Sequence, residues 1–361
     1  FELVAIASTI ALNSNRHRLL GSERAVRPLG DQPMTFSNHP PLMAAWLMLI
    51  EPWVTEDVER FPMLMRLPAT VSDIGTALCV YGLAAKFRSA RVAAWSCAVV
   101  ALSPVLIWVS GFHGNTDPVF VFLILLSVYL LTVRRSVVLA GIALGLSLNI
   151  KIVPLITLPV FFAALTGWRQ RVHFFGAVGA VFLVGYGYHF LFWFETIWRN
   201  VFAYSSWPGL WGLSQLASDR WTPGLTQAAK VAIAAMIIAR AAWALVCVAP
   251  ERRSSPEALT AAIGWAFLIF LIMMPGFGVQ YLSWFAAPAV LLSLAGGVVY
   301  NLLASVFLFG VYSFWAGGST LWHFAQAQAW PPFWMSVGLV LWTSLVGLAF
   351  WLSLAAFRQR R

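Results

Sequence analysis

The sequence predicts an all-α, polytopic membrane protein, and three observations predict it. Of its 361 residues 60% are hydrophobic and only 10% charged, with a mean hydropathy of +0.80, against roughly 25% charged in a soluble domain. Apolar runs long enough to cross a bilayer follow one another from residue 66 almost to the end. The basic residues sit in the short turns on one side of those runs, as expected where positive charge stays in the cytoplasm.

In chain order, the first 65 residues form an outer-face loop bearing an interfacial helix, and residues 66–361 form a multi-helix transmembrane domain. The opening stretch 2–12 is too short to span, and a first transmembrane helix is expected upstream of Phe1. Residues 13–66 are the most polar part, with Arg16, Arg18, Glu23, Arg24, Arg27 and Asp31 preceding Phe36-Ser-Asn-His-Pro-Pro-Leu42. The apolar segment 43–54 ends at Glu51-Pro52 and carries Trp46 and Trp53. About 12 residues do not cross ~30 Å of hydrocarbon, so it reads as a helix lying on the membrane.

From residue 66 hydropathy gives about eleven crossings: 66–87, 91–110, 118–133, 137–150, 152–166, 173–194, 225–249, 257–274, 280–299, 301–316 and 333–356. The pair meeting at Lys151-Ile-Val-Pro154 is short. It reads equally as two crossings, one bent helix or a re-entrant hairpin buried among other helices.

Orientation follows from the turns. Lys86, Arg88, Arg91, Arg134, Arg135, Arg169, Arg171, Arg252, Arg253, Arg358, Arg360 and Arg361 fall on one side, and only Lys151, Arg199 and Arg220 in the opposite turns. The basic side is therefore cytoplasmic. The net charge of +10 then reflects topology, and nucleic acid is not an expected partner. Cys79, Cys97 and Cys247 lie inside apolar runs, where they read as packing residues.

The polar groups of the non-cytoplasmic turns are the candidate site. Ser110-Gly-Phe-His-Gly-Asn-Thr-Asp-Pro118 places His113, Asn115 and Asp117 between two apolar helices, and Asn149 and Lys151 close the next outward turn. Asp117-Pro118 also suits a helix start, but a cap needs one polar residue and this turn has several. Lys151 interrupts a run of about thirty apolar residues, where an ammonium is costly unless it snorkels or meets an anion. A lipid phosphate is such an anion. Gln280 and Tyr281 follow the glycine-punctuated turn Pro275-Gly-Phe-Gly-Val-Gln280. Tyr204-Ser-Ser-Trp-Pro-Gly-Leu-Trp-Gly212 offers Trp207 and its neighbours either to a sugar face or to the membrane interface. No GxGxxG, P-loop, HExxH or CxxC pattern occurs, so no cofactor and no metal are expected.

In their order, these pieces resemble the GT-C superfamily of polyprenyl-phosphate-sugar-dependent glycosyltransferases. The likeness is nearest to the dolichyl-phosphate-glucose glucosyltransferases of N-glycan assembly and their bacterial relatives. It covers most of residues 36–300. His39-Pro-Pro-Leu42 resembles the Tyr-Pro-Pro-Leu of that group's first outer loop. Arg66-Leu-Pro-Ala-Thr-Val-Ser-Asp73 is similar to the start of its next helix, and Gly111-Phe-His-Gly-Asn-Thr-Asp-Pro118 to its histidine-containing outer turn. Leu148-Asn-Ile-Lys151 resembles the helix end bearing a lysine, and Phe277-Gly-Val-Gln280 falls at a Val-His-Glu-Lys turn.

The resemblance implies a GT-C-like bundle and an inverting hexosyltransferase, moving glucose or mannose from a polyprenyl-phosphate sugar to a lipid-linked glycan or other acceptor. Lys151, His113 and Asn149 would bind the donor phosphate, with Asn115, Gln280, Tyr281, His39 and Trp207 at the substrates. The family's catalytic aspartate falls upstream of Phe1, and Asp31 and Asp117 are its substitutes here. The enzyme would sit in a bacterial plasma membrane or an endoplasmic reticulum membrane, its active site on the non-cytoplasmic face and membrane lipids around it. The alternative is a transporter or flippase for a lipid-linked or anionic solute, whose binding residues would lie near the midplane in broken helices.

Overall fold

A computed structural model describes residues 41–192, 194–198, 201, 211–215, 222–315 and 332–358. Among these the regular elements are all helical, as the composition predicts. Six helices are long and apolar enough to cross a membrane, and four shorter apolar ones lie among them. The chain is a polytopic membrane protein.

Helix α1 (Pro41–Glu56) turns Met43, Ile50 and Val54 inward. They meet Met65 in a small cluster separate from the main core, while Met48, Leu49 and Trp53 on the other face stay exposed. At 16 residues it is about 24 Å long. Its first turn is tied down where the Leu42 amide donates to the Asn149 carbonyl at 3.1 Å.

Helix α2 (Phe61–Ala84) begins earlier than the apolar run suggests, because Pro62 supplies a ready-made first turn. Helix α3 (Ala90–Ala101) halts at Leu102. Ser103 caps a new start at Pro104, and the chain finishes the crossing in a wide turn, Ile107–Phe112, with i→i+5 hydrogen bonding. Helices α4 (Asp117–Thr132) and α5 (Val137–Leu148) follow.

Past Lys151 the tight turn Val153–Thr157 leads into α6 (Leu158–Ala164). The ambiguous pair is therefore two short segments meeting at the lysine. Helix α7 (Trp168–Phe192) lies along α5. A side chain at Gly141 would strike the Phe174 carbonyl, and one at Gly145 the Val181 side chain. These two small residues, four apart, set the close approach of the backbones.

Helices α8 (Thr222–Cys247), α9 (Pro256–Met273), α10 (Tyr281–Leu292), α11 (Leu294–Trp315) and α12 (Pro332–Arg358) complete the bundle. The expected break near residue 300 comes instead at Ser293. That residue turns extended, and its hydroxyl accepts from the Gly296 amide. Gly297 then rides against the Val290 backbone, where any side chain would collide. Hydropathy runs unbroken through this corner, so the pattern placed it wrongly. Residues Tyr281 to Leu291 of α10 are all buried, and Arg88 donates from across the bundle to the Val290 and Leu291 carbonyls at its C-terminus. A 12-residue helix apolar on every side is a core element, and α10 serves as the axis around which α4, α9 and α11 pack.

Candidate active site

The outward turn after α3 is shaped by its backbone. The wide turn returns the His113 amide to Trp108 at 2.9 Å and the Asn115 amide to Val109 at 3.0 Å. Gly114, at φ +68°, takes the left-handed conformation that glycine adopts without strain. The Asn115 side-chain oxygen then accepts from the Asp117 amide at 2.8 Å and caps α4. This frees the Asp117 side chain to reach across the bundle.

Its carboxylate is 2% exposed and engaged on both oxygens. Oδ1 lies 3.1 Å from Lys151 Nζ, and Oδ2 accepts from Trp284 Nε1 at 2.8 Å. A buried carboxylate needs such compensation, and the first turn of α4 adds the positive end of its dipole. Lys151 differs from its partner in remaining 19% exposed. One donor goes to Asp117, which leaves the ammonium with donors to spare.

His113 lies on the same turn. Its Nδ1 is 3.0 Å from the Tyr312 hydroxyl, within a group of rings that includes Trp108 and Phe112. Burial pushes the imidazole down to about 4, opposed by the Asp117 charge and reinforced by Lys151. The ring is therefore neutral near pH 7 and acts as a hydrogen-bonding group.

Sequence reasoning missed Arg66, Asp73, Trp284 and Tyr312 as site residues. Arg66 Nη2 donates to the Phe112 carbonyl at 3.3 Å, and its Nε is buried without a partner. Asp73 lies beside the Ser110 hydroxyl, yet neither Asp73 Oδ1 nor Ser110 Oγ has a hydrogen bond of normal geometry. Arg66 and Asp73 stand seven apart, on one helix face, so their spacing held a readable signal. Trp284 and Tyr312 come from α10 and α11 and left none in the local sequence.

The remaining candidates divide. Asn149 spends both amide hydrogens on backbone carbonyls, of Gly145 at 3.0 Å and Val181 at 3.1 Å, and so pins the end of α5 to α7. Tyr281 is buried with its ring 4.1 Å from that of Trp284, one side chain away from Asp117. Gln280 precedes it at the same end, and its side-chain amide folds back over Gly278. Asp31, His39 and Trp207 lie outside the described residues. Among the described residues no three His, Cys, Asp or Glu side chains gather as a metal site.

A cation beside a buried carboxylate, with an imidazole and a guanidinium on the adjoining turn, is suited to an anionic ligand. The model of glycosyltransferase family 87 matches residues 39–275, well over half of the chain. The chain belongs to glycosyltransferase family 87. No curated protein sequence matches it. The match takes in Arg66, Asp73, His113, Asp117 and Lys151 and stops before Gln280, Trp284 and Tyr312. Family 87 membership, with the helical membrane fold, makes this a membrane glycosyltransferase of the GT-C type. It favours a transferase over a transporter.

Proposed function

We propose that this family 87 enzyme transfers a hexose, glucose or mannose, from a polyprenyl-phosphate sugar to a hydroxyl of a lipid-linked glycan or other acceptor, with inversion, at the non-cytoplasmic face. The bond from the anomeric carbon to the phosphate oxygen breaks, and the acceptor oxygen bonds that carbon from the opposite side. Polyprenyl phosphate departs with the electron pair, and a carboxylate takes the acceptor proton.

One observation carries the reading: Lys151, partly exposed, is held by the buried Asp117 on a surface that His113 and Arg66 share. Charge grows on the leaving phosphate oxygen as the glycosidic bond breaks. A preoriented ammonium stabilises that charge without reorganising. With the Tyr312 hydroxyl on His113 Nδ1, the opposite nitrogen is free to donate to a phosphate oxygen. Asp117, engaged on both oxygens, positions Lys151, and Asp31 is the proton acceptor in this proposal. Asn115, Gln280, Tyr281, His39 and Trp207 are the proposed substrate contacts.

The test is transfer by purified protein supplied with radiolabelled polyprenyl-phosphate hexose. Lys151→Ala should lower kcat/KM by about 10²-fold or more in protein that still melts cooperatively. Asp117→Asn, which can keep the indole contact, should lose less, and Asp31→Asn should lose kcat with little change in donor KM. Wild-type rates in Lys151→Ala would remove the phosphate role. Labelled donor taken up into vesicles without turnover would replace the enzyme reading by the transporter.

A further inference from the structure

A second carboxyl group lies against the outward turn and takes no part in the Lys151 pair. Asp73 stands near the middle of the 24-residue helix α2, at a depth where an ionisable side chain is costly and its usual reason is functional. Ala69, Thr76 and Val80 on the same face are all buried, so Asp73 faces the bundle and not the lipid. The residue keeps part of its surface open, while its Oδ1 is sealed without a partner.

No counter-charge explains it there. Among the described residues no cation pairs with Asp73. Arg66, about two turns away on the same helix, gives Nη2 to the Phe112 carbonyl. Ser110 lies beside the carboxyl and is 2% exposed, yet its hydroxyl also lacks a hydrogen bond of normal geometry. Leaving such groups unsatisfied inside a membrane protein is expensive, and an apolar pair would pack there without that cost. Ser110 belongs to the wide turn Ile107–Phe112, a kind of turn that collects at functional sites, and His113 follows directly on that turn. Helices α4 and α5, at 16 and 12 residues, stop short of the ~30 Å of hydrocarbon. Asp117 and Lys151 are therefore recessed to a comparable level.

We propose that Asp73 and Ser110 bind a hydroxyl of the hexose that the donor carries, and so select the sugar while Lys151 and His113 hold its phosphate. A carboxyl oxygen accepts from a sugar O–H, and the serine hydroxyl both donates and accepts, so one sugar hydroxyl satisfies the pair. A phosphate does not suit this place, because it would meet an acid where it needs a cation. The inference rests on the reading of the site as one for a polyprenyl-phosphate sugar.

The test is equilibrium binding to the full chain in nanodiscs, with radiolabelled polyprenyl-phosphate hexose (glucose and mannose in turn) and bare polyprenyl phosphate as the two probes. Asp73→Ala should weaken the hexose probe about tenfold, the loss of one hydrogen bond at a covered site, and should not weaken bare polyprenyl phosphate. Ser110→Ala should weaken the hexose probe in the same one-sided way, and covers the case in which Asp73→Ala does not fold. Without ligand neither variant should melt below wild type, since each removes an unsatisfied polar group. One monodeoxy hexose probe should bind wild type as weakly as the parent binds Asp73→Ala, and lose nothing more in that variant. Equal weakening of both probes, no weakening in either variant, or monodeoxy probes all bound as tightly as the parent would overturn the inference and leave the phosphate site standing. Failure of wild type to bind either probe would remove the donor reading itself, and this inference with it.

Discussion

His113 is the residue whose chemistry the structure alters most. The resemblance casts it as a binder of the donor phosphate, and burial holds the folded imidazole at about 4 against an ordinary 6.5, so it would bind as a neutral ring. Above about pH 6.5 folded and unfolded chains are both neutral here, and its effect on stability is nil. Between 6.5 and 4 the unfolded chain takes up a proton that the folded ring refuses, so stability falls as pH falls through that window. His113→Asn removes the group and should flatten this part of the pH dependence of the melting temperature in detergent. The difference between wild type and variant should grow from pH 7 to pH 4.5. Parallel curves would show that the ring titrates freely in the folded protein. Asp117 teaches the complementary lesson. Its place in a polar turn was legible, but its partners come from Lys151 and Trp284, 34 and 167 positions away, and no local pattern announces them.

At the scale of the element, the site depends on how closely α5 and α7 approach. Asn149 sits between them, and a side chain added at Gly185 would overlap its Oδ1. Asn149 also holds the first turn of α1 through Leu42, two residues before the lysine. Gly185→Ala should therefore destabilise by about 1–3 kcal/mol, as overpacking does, and raise the donor KM by shifting the end of α5. Gly187→Ala, on the same helix with open space beside it, should be silent in both measurements. A silent Gly185→Ala would mean that Asn149 moves aside without consequence. The helices themselves were readable because each crossing repeats a long apolar run bounded by charge or proline. The exceptions were the corner at Ser293, inside continuous hydropathy, and the interrupted end of α3, where Ser103-Pro104 restarts the helix and the wide turn re-aims His113.

Across the whole molecule, charge separates along the bundle. Lys86, Arg88, Arg91, Arg134, Arg135, Arg169, Arg171, Arg252 and Arg253 mark one end, and Glu51, Glu56, Asp57 and Glu59 lie with Arg66 and Lys151 at the other. Such asymmetry orients a membrane protein with its basic end in the cytoplasm. The polarity matters for the proposed reaction, in which a polyprenyl-phosphate donor meeting Lys151 would come from the leaflet opposite the arginines. In a variant lacking Cys79, Cys97 and Cys247, single cysteines at two exposed positions, Glu59→Cys and Glu251→Cys, report each end. A membrane-impermeant maleimide added to intact cells, or to sealed right-side-out vesicles, should label Glu59→Cys at once and Glu251→Cys only after permeabilisation. The reverse pattern would place Lys151 in the cytoplasm. The transfer reaction would then need a donor and acceptor on that side.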